Sequence, residues 1–193
     1  MGRCASFIDS LPDGLRSFPE ARGRMSLFRS LYELTSAEHI DDRLRAVMAQ
    51  TSDDDWQSEV VCAAIVSAFA DECGDESDFL ARMLEHNLEI YRRPLFRGLM
   101  FVMSPTLVLM GAAKRWGAFH EGSSLEVDKW ARTDTHHGAK LHLRHPTGLF
   151  QPLHHRAYGE AFRAAALATR LKEAEIECTS FEDGAEFRVR YPR

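Results

Sequence analysis

Residues 123–191 alternate apolar and polar side chains as a half-buried sheet requires, and this stretch limits the fold more than any other. Leu125 and Val127 alternate with Glu126 and Asp128, and Ala139, Leu141 and Leu143 alternate with Lys140, His142 and Arg144. Between them, Thr133-Asp134-Thr135-His136-His137-Gly138 is rich in turn formers, so the two strands form a hairpin. The pattern returns at the C-terminus. Ile176 and Cys178 alternate with Glu175, Glu177 and Thr179, while Phe187, Val189 and Tyr191 alternate with Glu186, Arg188 and Arg190, around a Glu182-Asp183-Gly184 turn. Residues 149–172 place Leu153, Ala157, Ala161, Ala164, Ala165 and Ala168 at roughly helical spacing. A sheet with one apolar face must cover it, so this helix of small residues is expected to lie across that face.

Upstream, the apolar spacing is that of helices. Met25, Phe28, Leu31 and Tyr32 share a face within residues 24–34, and Ser36, Asp41 and Asp42 suit the start of a helix over 40–49. Asp53, Asp54 and Asp55 read as a further helix N-terminus before Trp56. Residues 60–69 are apolar with few interruptions, the pattern of a buried central helix, and Gly74 ends it. The next helix puts Phe79, Met83, His86 or Asn87, and Ile90 on one face and stops at Pro94. Residues 95–103 are the most apolar segment but too short to cross a bilayer. Ser104-Pro105 then caps a helix that His120-Glu121-Gly122 ends. Residues 1–20, with Pro12, Asp13-Gly14 and Pro19, read as a flexible leader without the apolar core of a signal peptide. The expected fold class is α+β. Residues 21–193 form one domain, its helical part at 21–122 packed with an antiparallel ββαββ sheet at 123–193.

A net charge of -5 excludes the concentrated basic footprint of a general nucleic-acid binder, and Arg92, Arg93 and Arg97 read as a solvated rim. Cys4, Cys62, Cys73 and Cys178 show no CxxC spacing, which suggests free thiols in a reducing, cytoplasmic setting. Cys62 and Cys178 read as core residues, and the acids around Cys73 argue against a thiolate nucleophile there. The chain contains no GxSxG elbow, GxxxxGK[ST] loop or GxGxxG turn, which leaves the common nucleophile and nucleotide chemistries unsupported.

The chemical oddity is histidine. Six of nine fall at His136, His137, His142, His145, His154 and His155, a set that would suit zinc if the rings converged, with Asp134 or Glu160 as a base. Neighbouring residues of a pair point in different directions, and no HExxH or Cys/His pattern is present, so a solvent-facing rim is the expectation.

Ala21-Arg22-Gly23-Arg24-Met25, residues 91–96, Ser104-Pro105 leading into Trp116, Tyr158-Gly159 and residues 184–191 together resemble a bacterial family of paralogues common in myxobacteria. That family is similar to the superfamily of haem nitric-oxide sensors, vinyl-reductase-type small-molecule-binding domains and Golgi-tethering (TRAPP) subunits. The resemblance spans about residues 20–193. It implies helices on an antiparallel sheet, an internal pocket and binding in place of catalysis. Haem sensors of this superfamily carry Tyr-x-Ser-x-Arg for the propionates, which this chain lacks, and the cysteine that precedes the final strand in vinyl-reductase-type domains is absent from Gly184-Ala185-Glu186-Phe187. Of the histidines, His86 and His120 are the candidates for an axial ligand, although a structural role suits both. Haem and zinc are therefore not expected. The function that follows is a non-catalytic cytoplasmic regulatory domain for an apolar small molecule or a protein partner, with a homodimer implied by resemblance alone. Leu99, Met103, Leu107, Met110 and Trp116 are its expected pocket lining.

Overall fold

The two hairpins close into one antiparallel sheet. The structure, a computed structural model, describes residues 2–92, 103–132, 136–169 and 171–192, with backbone alone at 128–132. Strands β4 (Ser124–Arg132), β5 (His136–Arg144), β6 (Glu175–Phe181) and β7 (Gly184–Pro192) lie in the order β4-β5-β7-β6. Leu125, Ala139, Leu141, Leu143, Ala185, Phe187, Val189 and Tyr191 are buried on the inner face, as the alternation requires. On the outer face Lys140 donates to Glu186 at 3.0 Å, and Arg190 pairs with Glu175 and Glu177. Such exposed pairs contribute about 0.2–1 kcal/mol each and set register more than stability. Residues 133–135 of the expected turn lie outside the described residues.

Helix α7, which follows in space as the cover of that face, spans Pro152–Leu167. Its Phe162 meets Phe187 edge to face with centroids 5.0 Å apart. The close approach expected from small residues is real but not saturated at Gly159, where an added Cβ would sit 3.7 Å from Ile176 and Phe187, an ordinary van der Waals distance. A mid-helix glycine costs about 1 kcal/mol relative to alanine. Gly159→Ala is therefore expected to stabilise the protein by about 0.5–1 kcal/mol, read as a higher urea midpoint at unchanged m-value; a loss would mean that the helix cannot accept even a methyl group.

The helical half wraps α4 (Glu59–Cys73), in which every residue from 59 to 70 is buried. Around it stand α1 (Arg3–Asp9), α2 (Arg29–Glu33), α3 (Asp42–Met48) and α5 (Glu76–Arg92). Helix α6 (Pro105–Arg115) leads into the sheet, with Ser104 Oγ accepting from the Leu107 amide and Pro105 in the first turn, as expected. Of the apolar run 95–103, residues 95–102 lie outside the described residues. No helix among the described residues is long and apolar enough to cross a membrane.

Four details differ from the sequence reading. The expected leader contains α1, whose Cys4, Phe7 and Ile8 are buried against the helical core; their i, i+3, i+4 spacing outweighs the nearby Pro12 and Asp13-Gly14, which only end it. Asp41, not Ser36, caps α3 by accepting from the Arg43 amide. The acidic triplet precedes a strand, β2 (Trp56–Ser58), and the helix starts after it, with Ser58 Oγ accepting from the Val60 amide. Finally, β1 (Arg22–Arg24) pairs antiparallel with both β2 and β3 (His120–Glu121), a small second sheet too short for any periodicity to announce.

Candidate functional site

That small sheet brings together residues remote in sequence. Gly23 on β1 lies opposite His120 on β3, and β2 ends directly at Glu59, the first residue of α4. His120 Nδ1 and Glu59 Oε1 are 2.5 Å apart, and both side chains are buried, at 5% and 0% exposure. Glu59 stands at the positive end of the α4 dipole, where a negative charge is favoured. Its second oxygen, Oε2, is buried and has no hydrogen-bond partner. The absence of a side chain at position 23 makes the arrangement possible, because a Cβ there would lie 2.9 Å from Cys62 Sγ and 3.1 Å from Glu59 Oε2.

Aromatic rings enclose the pair. The Trp116 indole stacks on His120 with centroids 3.9 Å apart at 16°, and its Nε1–H donates to Ser123 Oγ at 3.0 Å. Phe28 and Tyr158 meet the imidazole at its edges, with centroids 6.4 and 5.8 Å away. Burial pushes the Tyr158 hydroxyl up, and the nearby Glu59 carboxylate adds to this. Burial likewise pushes the Cys62 thiol well up, so it is a small core residue, as expected, and no thiolate. Tyr158 packs against both the helical core and the sheet core, which places the pair at the seam between them.

The six clustered histidines do not converge. His136 is exposed and His142 lies on the polar face of β5. His137 faces Tyr191, with ring centroids 5.9 Å apart. The other three are buried, which corrects the expectation of a solvent-facing rim. The Gln151 amide donates to His154 Nδ1 at 2.9 Å, so its Nε2–H donates to Ser67 Oγ at 2.9 Å and to the Ala63 carbonyl at 3.1 Å. His154 thus caps its own helix and ties it to α4. His145 Nδ1–H donates to the Pro146 carbonyl at 2.9 Å, leaving its Nε2 to accept from His155 Nε2–H at 2.8 Å. Burial of these rings is possible because each is neutral. Desolvation lowers His154 to about 3 and His155 to about 4, and also lowers His145. Among the described residues no group of three or more His, Cys, Asp or Glu is arranged to hold a metal ion.

Of the expected pocket lining, Leu99 lies outside the described residues. Met103 packs partly buried beside Val108 and Ala165, Leu107 and Met110 lie on the outward face of α6 at 54% and 48% exposure, and Trp116 alone reaches the seam. His86 is buried with Nε2 3.2 Å from Ser30 Oγ, at the edge of an open cleft of about 240 Å³ that Glu33, Leu34, Glu89 and Ile90 also line. Sequence reasoning missed Glu59 as a site residue. Its signal was a carboxylate heading an otherwise unbroken apolar helix, with a glycine flanked by arginines upstream.

No protein-family profile matches the chain, and no curated protein matches it either. Solved structures do. An oxygen-binding H-NOX domain related to soluble guanylate cyclases, in its oxygen complex, matches with a TM-score of 0.56 at 8% identity, covering 87% of this chain and 92% of that one. An H-NOX domain solved to probe the function of heme distortion matches at 0.56 and 9% identity, over 87% and 91% of the two chains. A mutant H-NOX domain of T. tengcongensis matches at 0.53 and 9% identity, over 86% and 93%. At these identities the likeness is one of fold.

Proposed function

We propose that the chain is a non-catalytic cytoplasmic regulatory domain that binds an apolar small molecule carrying one hydrogen-bond donor at the seam between its two cores. The observation that carries this reading is Glu59 Oε2, a carboxylate oxygen sealed from water with no donor. Leaving a buried polar atom unpaired costs about 1–3 kcal/mol, which a ligand hydroxyl or amine would recover. The surrounding Trp116, Phe28 and Tyr158 rings offer apolar contact on the remaining sides. H-NOX neighbours that bind a small molecule on the same fold, such as the oxygen complex, are in keeping with a sensory role. The second reading, a metal-dependent enzyme at the histidine-rich segment, has no converging ligands to favour it.

The test is a thermal-shift and native mass-spectrometry screen of medium-chain alcohols and amines against the wild type and Glu59→Gln. At least one compound is expected to bind saturably and raise the melting temperature. Its affinity should fall about tenfold when the charged acceptor becomes a neutral amide. No binder at all, or equal binding by both proteins, would sink the proposal.

A further inference from the structure

We infer that this chain keeps the H-NOX fold but that its described residues form no seat for haem. Every histidine, cysteine and tyrosine of the sequence, the residues from which an iron ligand would come, lies within the described residues. Haem iron in proteins is held by a histidine, a cysteine thiolate or a tyrosine, sometimes with methionine as the second ligand, inside an apolar slot.

The buried histidines have already committed their nitrogens. His145 and His155 spend their Nε2 atoms on each other at 2.8 Å. Ring centroids 5.1 Å apart show these two imidazoles pointing almost head to head, which leaves no room for an ion between them. His154 spends both nitrogens, on the Gln151 amide and on Ser67 with Ala63. His86 spends Nε2 on Ser30. Among the described residues one buried ring nitrogen has no partner, His155 Nδ1, which sits on the side of the ring nearest its own helix backbone, where a macrocycle would collide with α7. His120 holds Glu59 through Nδ1, so Nε2 is its remaining nitrogen. Axial ligation there requires a flat space beyond the nitrogen, but Trp116 lies 3.9 Å over the ring and Phe28 and Tyr158 close its edges. His39, His136 and His142 stand on the surface or the sheet's polar face, and His137, on the inner face at the end of β5, is taken up against the Tyr191 ring with centroids 5.9 Å apart.

Thiolate and phenolate ligation fare no better. Cys4 and Cys62 are buried in the helical core, where desolvation pushes Cys4 up to about 11 and Cys62 well up, and Cys73 and Cys178 are raised for the same reason. Tyr91 is pushed by burial to about 12, and the Tyr191 hydroxyl is bonded to Thr106 Oγ1 at 2.9 Å. The Tyr-x-Ser-x-Arg spacing is absent from the whole sequence, so the propionates lack that recognition as well.

The experiment is expression with the haem precursor 5-aminolevulinate, followed by absorption spectroscopy of the purified chain and titration of that chain with hemin. Purified protein is expected to show no Soret band, and added hemin should bind without saturation at one per chain. Weak hemin binding whose spectrum is unchanged in His86→Ala and His120→Ala would also support the inference, as adventitious surface contact. A saturable, one-to-one Soret complex that either variant abolishes would overturn it. So would a one-to-one complex lost on replacing any other single histidine, cysteine or tyrosine. The outcome is independent of the apolar-ligand screen, because a haem complex and a failed screen are read by different signals.

Discussion

Unfolding in urea is expected to become about 4 kcal/mol easier between pH 7 and pH 5, before the carboxylates begin to titrate. The cause is the neutral burial of His154 and His155, lowered to about 3 and about 4 from an ordinary value near 6.5. At pH 7 the folded rings are neutral and the unfolded ones mostly so, and they add little to the pH dependence there. Below about 6.5 the unfolded chain takes up protons that the fold refuses, and each ring then costs about 1.4 kcal/mol per pH unit until its folded value is reached. His145, lowered in the same direction, steepens the loss. Glu160 works the other way, because burial raises its carboxyl despite Arg163, so the fold takes up that proton above the ordinary carboxylate range and offsets part of the loss. The check is the urea midpoint across this interval, with the slope giving at least about two protons absorbed per molecule at pH 5. A flat profile would mean that the rings are hydrated or charged in the fold.

Glu59→Leu is expected to cost about 3–5 kcal/mol, because it leaves the His120 ring buried without its partner, and Glu59→Leu with His120→Phe should recover most of that loss. Removing one member of a buried pair abandons the other in a medium that cannot solvate it. Replacing both with apolar groups of similar shape removes the desolvation cost and the orphaned Oε2 together, and phenylalanine keeps the stack on Trp116. Chemical denaturation of both singles and the double would measure the coupling. Additive losses would show that the two residues do not act as a pair, and would remove the ground for placing ligand recognition at the seam. Should the single variant not fold at all, refolding by the double variant would still demonstrate the coupling.

The strands were legible because burial on one sheet face writes a period of two into the chain. Leu141 and Leu143, or Phe187 and Val189, have no other arrangement that hides them all. The central helix was legible for a similar reason, since residues 60–69 admit no polar face, and the Ser104-Pro105 cap is local chemistry that needs no partner elsewhere. The position of α6 was less legible. An apolar stripe tells that a helix has an apolar side but not which part of it will be covered, and Leu107 and Met110 end up facing outward.

What the sequence by itself determined is the order of helices and strands, the inner face of the sheet and the buried course of α4, all properties of spacing along the chain. The tertiary structure alone decided the chemistry. Glu59 and His120 are 61 residues apart and meet because β1 pairs on both sides and Gly23 carries no Cβ to crowd the Glu59 carboxylate. The paired histidines near α7 are as ambiguous in sequence as any surface cluster. Whether an imidazole is a solvated cation or a neutral tie is settled by the atom placed against each nitrogen, and for His154 those atoms include Ser67 and Ala63, on a helix almost ninety residues away.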